Sequence, residues 1–162
     1  MSPAELSLSP VSSPAVARDW VRRYYAYEGL SFNATVEQAV ARLLESSRLG
    51  WFFELTLKSE EEEEKKAIGY IVLTRAFDHE FGGEIGILTD FFILEPHRRR
   101  GHGSRALELI EDFARSQGLR LLDLYVLEHN ATVRQFYARH GFREVADRRP
   151  MTKPLSAQNP EP

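Results

Sequence analysis

Thr89-Asp90-Phe91-Phe92-Ile93-Leu94-Glu95-Pro96-His97-Arg98-Arg99-Arg100-Gly101-His102-Gly103-Ser104-Arg105-Ala106-Leu107 reads as an apolar strand, a basic glycine turn and the first turn of an amphipathic helix. A helix that begins at such a turn presents backbone N–H groups with no helical acceptor, and these make an anion site before any side chain is counted. Arg98, Arg99 and Arg100 bring positive charge to the same corner. The corner suits the pyrophosphate of a nucleotide-like cofactor. It is not a Walker loop, because no Gly-Lys-Ser/Thr ending is present. The Gly-x-Gly-x-x-Gly spacing of a dinucleotide fingerprint fails at Ala106.

Outward from this stretch the chain alternates strands and helices. Glu5 to Val11 suggests a first strand, and Ser13-Pro14 pairs an N-cap with a first-turn proline. The helix they open carries Val16, Trp20, Tyr24 and Tyr27 on one stripe. A second helix is predicted over 35–47, with Val36, Ala39, Val40, Leu43 and Leu44 at helical spacing and Gly50 beyond. Strands follow over 51–57 and 68–74, separated by a loop whose run of glutamates, Glu60 to Glu64, is expected to stay solvated. Phe81-Gly82-Gly83 marks a turn into a strand over 85–94. After the glycine turn come a helix over 103–117, a strand over 121–126 and a short helix over 131–140. Two short strands, over 142–146 and 149–153, are expected to close the domain. The pattern is α/β with a mixed sheet.

The 162 residues are enough for one domain with its own core, expected over 1–155, with 156–162 as a disordered tail. A net charge of -3 leaves no basic excess for general nucleic-acid binding. The absence of cysteine removes disulfides, thiolate zinc sites and a cysteine nucleophile. No apolar run approaches the ~20 residues that span a bilayer. Met1 to Glu5 lacks the basic and apolar regions of a secretory signal, so a cytoplasmic protein with no membrane or nucleic-acid partner is expected. The five histidines show no paired-ligand spacing, so no metal is expected. No Gly-x-Ser-x-Gly elbow is present either.

A second block, Asn130-Ala131-Thr132-Val133-Arg134-Gln135-Phe136-Tyr137-Ala138-Arg139-His140-Gly141-Phe142, changes the weight of the first. In this order, with one strand between, the two blocks resemble the GNAT superfamily of acyl-CoA-dependent N-acyltransferases. Arg98, Gly101 and Gly103 match that family's Gln/Arg-x-x-Gly-x-Gly/Ala loop, and Ile93 falls five residues before the loop arginine. The second block matches Asn-x-x-Ala-x-x-Phe-Tyr-x-x-x-Gly-Phe, with Val133 where alanine is usual. The resemblance is firm over 68–142 and looser at the N-terminal helices and over 151–155.

The resemblance implies a central mixed, mostly antiparallel sheet flanked by helices, with a splayed strand pair that admits acetyl-CoA as co-substrate. It implies cofactor contacts along Phe92, Ile93, Arg98, Arg99, Arg100, Gly101, His102, Gly103 and Ser104, with Asn130 touching the pantetheine arm while also capping its helix. The Ile93 N–H would polarise the thioester carbonyl as an oxyanion donor does. Tyr137 would return a proton to the departing thiolate, since a phenol with a pKa near ~10 is protonated at neutral pH. Phe136 reads as core.

Asp90 and Glu84 are the candidate bases for the incoming amine. They lie an even number of residues apart and share a strand face unless a bulge intervenes. Relatives that acetylate polyamines carry an acidic pair before the Phe-Phe stretch, and Thr89 replaces its first member here. Tyr24, Tyr25 and Glu28, with the Phe77 to Gly83 loop, are expected to form an aromatic and acidic acceptor pocket. The acceptor is a small-molecule or peptide amine, and a homodimer stays open. With no activated nucleophile, direct transfer in a ternary complex is favoured. Two rivals stand beside it: a non-catalytic acyl-CoA-binding or sensing module, and an unrelated nucleotide-binding αβ domain.

Overall fold

The computed structural model describes residues 5–58, 65–146 and 149–155. The glutamate-run loop and the C-terminal tail discussed above lie outside them, wholly or nearly so. Two compact units, 1–125 and 126–162, are described each by itself.

The first unit is built on a sheet in the order β1(Glu5–Pro10), β2(Gly50–Lys58), β3(Lys66–Asp78), β4(Gly83–Ile93), β5(Leu122–Leu124). The first four strands pair antiparallel, and β5 lies parallel to β4. Two helices, α1(Pro14–Glu28) and α2(Ala34–Glu45), precede β2, and α3(His102–Ser116) follows β4. The cap at Ser13 forms as the sequence implies, and Asn33, which the sequence reading did not single out, caps α2. The Ser13 hydroxyl accepts from the Val16 N–H at 3.3 Å, and Asn33 Oδ1 accepts from the Val36 N–H at 3.1 Å. Each such cap contributes about 1 kcal/mol.

The two faces of the sheet bury different helices. Phe52, Tyr70, Val72 and Phe92 pack against Ala17, Trp20 and Val21 of α1 and Val40 of α2. On the other face Phe113 of α3 meets the rings of Trp51 and Phe53 edge-on, at 4.9 and 4.8 Å. Tyr27, expected on the buried stripe of α1, is 56% exposed instead. It lies ten residues after Ala17, close to three helical turns, yet α1 has run past the covering core by then.

Two irregularities in β4 shape everything that follows. Val72 pairs with Asp90 while Leu73 pairs with Leu88, so Thr89 is an extra residue, a β-bulge. Its hydroxyl donates to the Val72 carbonyl at 3.3 Å. The β4–β5 ladder then covers only Gly86 to Leu88, so β5 leaves the β4 edge from Thr89 to Ile93 uncovered. That is the splayed pair.

β5 is shorter than the 121–126 expected, and Asp123 and Tyr125 are exposed. Among the described residues it pairs with β4 alone, and its apolar run fills one side only. The second unit holds α4(Ala131–Arg139), capped by Asn130 Oδ1 on the Val133 N–H at 3.2 Å. The strands expected over 142–146 and 149–153 do not form among the described residues. Arg143, Glu144 and Val145 are exposed, and Glu144 pairs with Arg134 of α4 at 2.6 Å. A segment with so little apolar surface to bury and no ladder partner gains nothing from extension.

Gly69 faces the uncovered end of β4, and a Cβ there would stand 2.2 Å from the Phe92 carbonyl oxygen. Gly69→Ala is expected to lower the denaturant midpoint, by about 1–3 kcal/mol of stability, because backbone must move to admit it. A midpoint matching wild type in urea titration would show that β3 and β4 separate there at no cost.

Candidate active site

Asp90 emerges from the bulge onto the α1/α2 face of the sheet, the face shared by Val72, Tyr70 and Phe92. Its half-buried carboxylate accepts the Tyr70 hydroxyl at 3.1 Å. Tyr70 is fully buried among rings: Phe52 stacks on it at 5.0 Å, and Trp20, Tyr24 and Phe92 surround it at 5.9, 6.3 and 6.1 Å. Burial pushes the Asp90 carboxyl above its ordinary range, and the Tyr70 hydroxyl opposes that by stabilising the charge. Tyr24 is pushed up to about 12 by burial and then by the nearby Asp90, Glu28 and Tyr25. Burial and Asp90 likewise raise Tyr25. Tyr70 rises furthest, by burial and by the carboxylate it serves. These phenols therefore stay neutral donors around one carboxylate.

The acceptor residues named from sequence are thus partly gathered here. Tyr24 and Tyr25 lie within electrostatic reach of Asp90, as Glu28, exposed at the end of α1, does of Tyr24. The Phe77 to Gly83 loop is not gathered. It caps the far end of the β3–β4 hairpin, about 20 Å along β4 from Asp90 at ~3.4 Å per residue. Glu84 is not gathered either. The bulge puts it on the α3 face of the sheet, opposite to Asp90, where it pairs with Arg75. The shared face expected from even spacing fails because one inserted residue reverses strand parity.

The glycine turn starts at the end of β4. The Leu94 N–H donates to the Ile68 carbonyl of β3 at 2.9 Å. N–H groups alternate sides along a strand, so the Ile93 N–H points to the edge that β5 leaves uncovered. Arg99 and Gly101 both adopt positive φ, 58° and 83°, which brings the chain sharply into α3. Gly101 caps α3 without a side-chain acceptor, and the first helical bond runs from the Arg105 N–H to the Gly101 carbonyl. The N–H groups of His102, Gly103 and Ser104 are left without helical acceptors. The side chains of Arg99 and Arg100 are exposed beside them. His97 and His102 stand 6.4 Å apart, and both are held below the ordinary imidazole value. Burial is the main cause, with Arg100 adding to it for both rings and Lys66 and the neighbouring imidazole for His97. The fixed charge of this corner is therefore carried by arginine.

Arg98 departs from the expected picture. Its Nε donates to the Ile93 carbonyl at 2.6 Å and its Nη1 to the Tyr27 hydroxyl at 2.7 Å, with the guanidinium over the Tyr27 ring. In the second unit Tyr137 is half-buried on α4, with Phe136 and Phe142 rings at 5.2 and 5.3 Å. Asn130 caps the same helix.

The chain matches the model of the Acetyltransferase (GNAT) family over residues 16–142. It belongs to this family. It is 35% identical over 82 residues to the uncharacterized N-acetyltransferase YycN of Bacillus subtilis (strain 168), a match covering 51% of each chain. The chain therefore spans about half the length of that curated relative. Among solved structures, a possible acetyltransferase from Clostridium difficile 630 superposes with a TM-score of 0.76 at 15% identity, over 94% of this chain and 99% of that one. Aminoglycoside N-acetyltransferase AAC(6')-Iy in complex with CoA gives 0.73 at 13% identity, over 96% and 98%. These two likenesses establish that the GNAT member has the GNAT fold.

Tyr70 and Tyr27 were missed from sequence. The one available signal for Tyr70 was a hydroxyl inside the apolar run Ile68 to Leu73, since a buried phenol needs a partner. Nothing in the spacing of Tyr27 pointed to Arg98.

Because the fold raises the Asp90 value, the native state holds a proton there that the unfolded chain has released. Its contribution makes stability fall as pH rises from the ordinary carboxylate range through the raised value, and level off above. Asp90→Asn should abolish that decline. Tyr70→Phe should extend it to higher pH, since the lost hydroxyl was holding the value down. Melting temperatures of the three proteins across acidic to neutral pH would test this, and parallel curves would overturn it.

Proposed function

We propose that this protein transfers an acetyl group from acetyl-CoA to a primary amine by direct attack in a ternary complex. One observation supports this most. A single strand of a GNAT-family chain carries both a buried-side carboxylate, Asp90, and three residues on, an N–H aimed at an uncovered edge, Ile93. The turn fits the cofactor, because α3 begins with free N–H groups, no side-chain cap and flanking arginines.

Acetyl-CoA supplies an acyl group activated as a thioester. The N–H groups of His102, Gly103 and Ser104, with Arg99, Arg100 and the Gly101 turn, hold its pyrophosphate. The Phe92–Ile93 edge takes the pantetheine as a pseudo-strand, with Asn130 on the arm, and the Ile93 N–H stabilises negative charge on the carbonyl oxygen. The acceptor arrives as an ammonium and must lose a proton before it attacks. Asp90, its carboxyl raised above the ordinary range by burial, accepts that proton, while Tyr24, Tyr25 and Glu28 form the acceptor wall. Tyr137 gives a proton to the departing thiolate. Glu84, across the sheet, takes no part.

Free-thiol release from acetyl-CoA with a panel of amines is the direct test. Asp90→Asn should lower the high-pH plateau of kcat/KM while Glu84→Gln leaves it unchanged, and Tyr137→Phe should lower kcat by about 10²–10⁴ with acetyl-CoA affinity kept. Cofactor binding without thiol release for any amine would favour the non-catalytic module. Acetyl-CoA should also raise the melting temperature by mass action, and Gly103→Val should remove that rise while leaving the free protein folded. No rise in the wild type at saturating cofactor would reject the acetyl-CoA assignment.

A further inference from the structure

The side chain of Arg98 begins the cofactor loop in sequence, yet it turns back into the protein. Its Nε donates to the Ile93 carbonyl at 2.6 Å and its Nη1 to the Tyr27 hydroxyl at 2.7 Å. Its guanidinium lies 4.4 Å from the Tyr27 ring centroid and 5.4 Å from that of Phe92. The Arg98 N–H is also engaged, on the Glu95 carbonyl at 3.1 Å. The Tyr27 and Phe92 rings are themselves 5.6 Å apart, and Phe92 meets Tyr24 at 5.7 Å. One guanidinium thus joins the end of β4, the start of the cofactor turn and the last turn of α1.

The carbonyl it holds belongs to Ile93. In a strand the N–H and C=O of one residue point to the same side, so Arg98 bonds the peptide oxygen beside the N–H that faces the uncovered edge. At its other end it fixes Tyr27, one residue before Glu28, on the helix that also carries Tyr24 and Tyr25. A planar guanidinium suits this, because it donates along two directions in a fixed fork while lying against aromatic rings. A lysine ammonium keeps the charge and loses the fork.

We propose that Arg98 is a positioning residue that acts through Ile93 and Tyr27, aligning the thioester-polarising N–H with the acceptor wall, and that it does not bind the cofactor's phosphate. This rests on the acetyl-transfer reading above. The test uses the full chain and the variants Arg98→Met, Arg98→Lys and Tyr27→Phe, with CoA affinity by calorimetry beside steady-state kinetics. Both Arg98 variants are expected to lose kcat by about tenfold or more, and Tyr27→Phe by about threefold, with the CoA Kd staying within about threefold of wild type. Arg98→Lys should rescue nothing. If the CoA Kd instead rises about tenfold in Arg98→Met and returns in Arg98→Lys, Arg98 is a phosphate ligand and the proposal fails. If all three variants lower the melting temperature with kcat and Kd unchanged, the clamp only braces the fold and the proposal also fails. A wild-type protein that binds CoA but releases no thiol would overturn the transfer reading itself. In that case CoA affinity of the Arg98 variants still decides whether the guanidinium meets phosphate.

Discussion

One extra residue in β4 sets the geometry on which the site depends. A strand presents alternate residues to opposite faces, so without the bulge at Thr89 Asp90 would fall on the α3 face with Leu88's neighbours displaced accordingly. With it, Ile85 and Ile87 before the bulge and Asp90 and Phe92 after it all face α1 and α2. The bulge costs a ladder position, and the Thr89 hydroxyl recovers part of that cost by donating to the Val72 carbonyl. The same few residues mark where β5 stops pairing, so one local distortion is followed directly by the opening of the edge. Bulges bend strands and increase their twist, which gives a physical reason for two parallel neighbours to diverge there.

The carboxylate delivered by this distortion would be costly in an apolar layer without a partner. The Tyr70 hydroxyl supplies that partner, a charge-assisted bond of about 1.5–3 kcal/mol. The ring that carries the hydroxyl is also the centre of the α1/α2 core, stacked on Phe52 and edged by Trp20 and Tyr24. Packing and the hydrogen bond to Asp90 therefore use one side chain. The core holds Tyr70 rigidly, and Tyr70 holds Asp90 at a fixed orientation with a value shifted upward by burial. Trp20 is treated in the same way, its indole N–H donating to Glu54 at 2.7 Å. The described residues leave no fully buried side-chain polar atom without a partner.

The elements that could be read from sequence are those whose signal is local. The caps at Ser13 and Asn130, the apolar periodicity of α2 and α3, and the glycine turn all act within a few residues of themselves. What misled was parity over a longer range. Glu84 and Asp90 are separated by an even number, and no local rule announces that Thr89 is inserted between them. The closing strands misled for a related reason, since alternating residues over 142–146 promise a strand only where another strand stands ready to pair.

Sequence by itself determined the family, the order of strands and helices as far as α4, the turn at Arg98 to Ser104 and the identity of Asp90 and Tyr137 as chemically apt side chains. Tertiary structure alone decided which carboxylate the aromatic core would adopt, that Tyr70 would serve it from twenty residues away, and that Arg98 would turn inward to Ile93 and Tyr27. The division follows from range. Hydrogen bonds along a helix or turn connect neighbours in the chain, whereas strand register, a bulge and a guanidinium that reaches across 71 residues exist only once distant segments have packed.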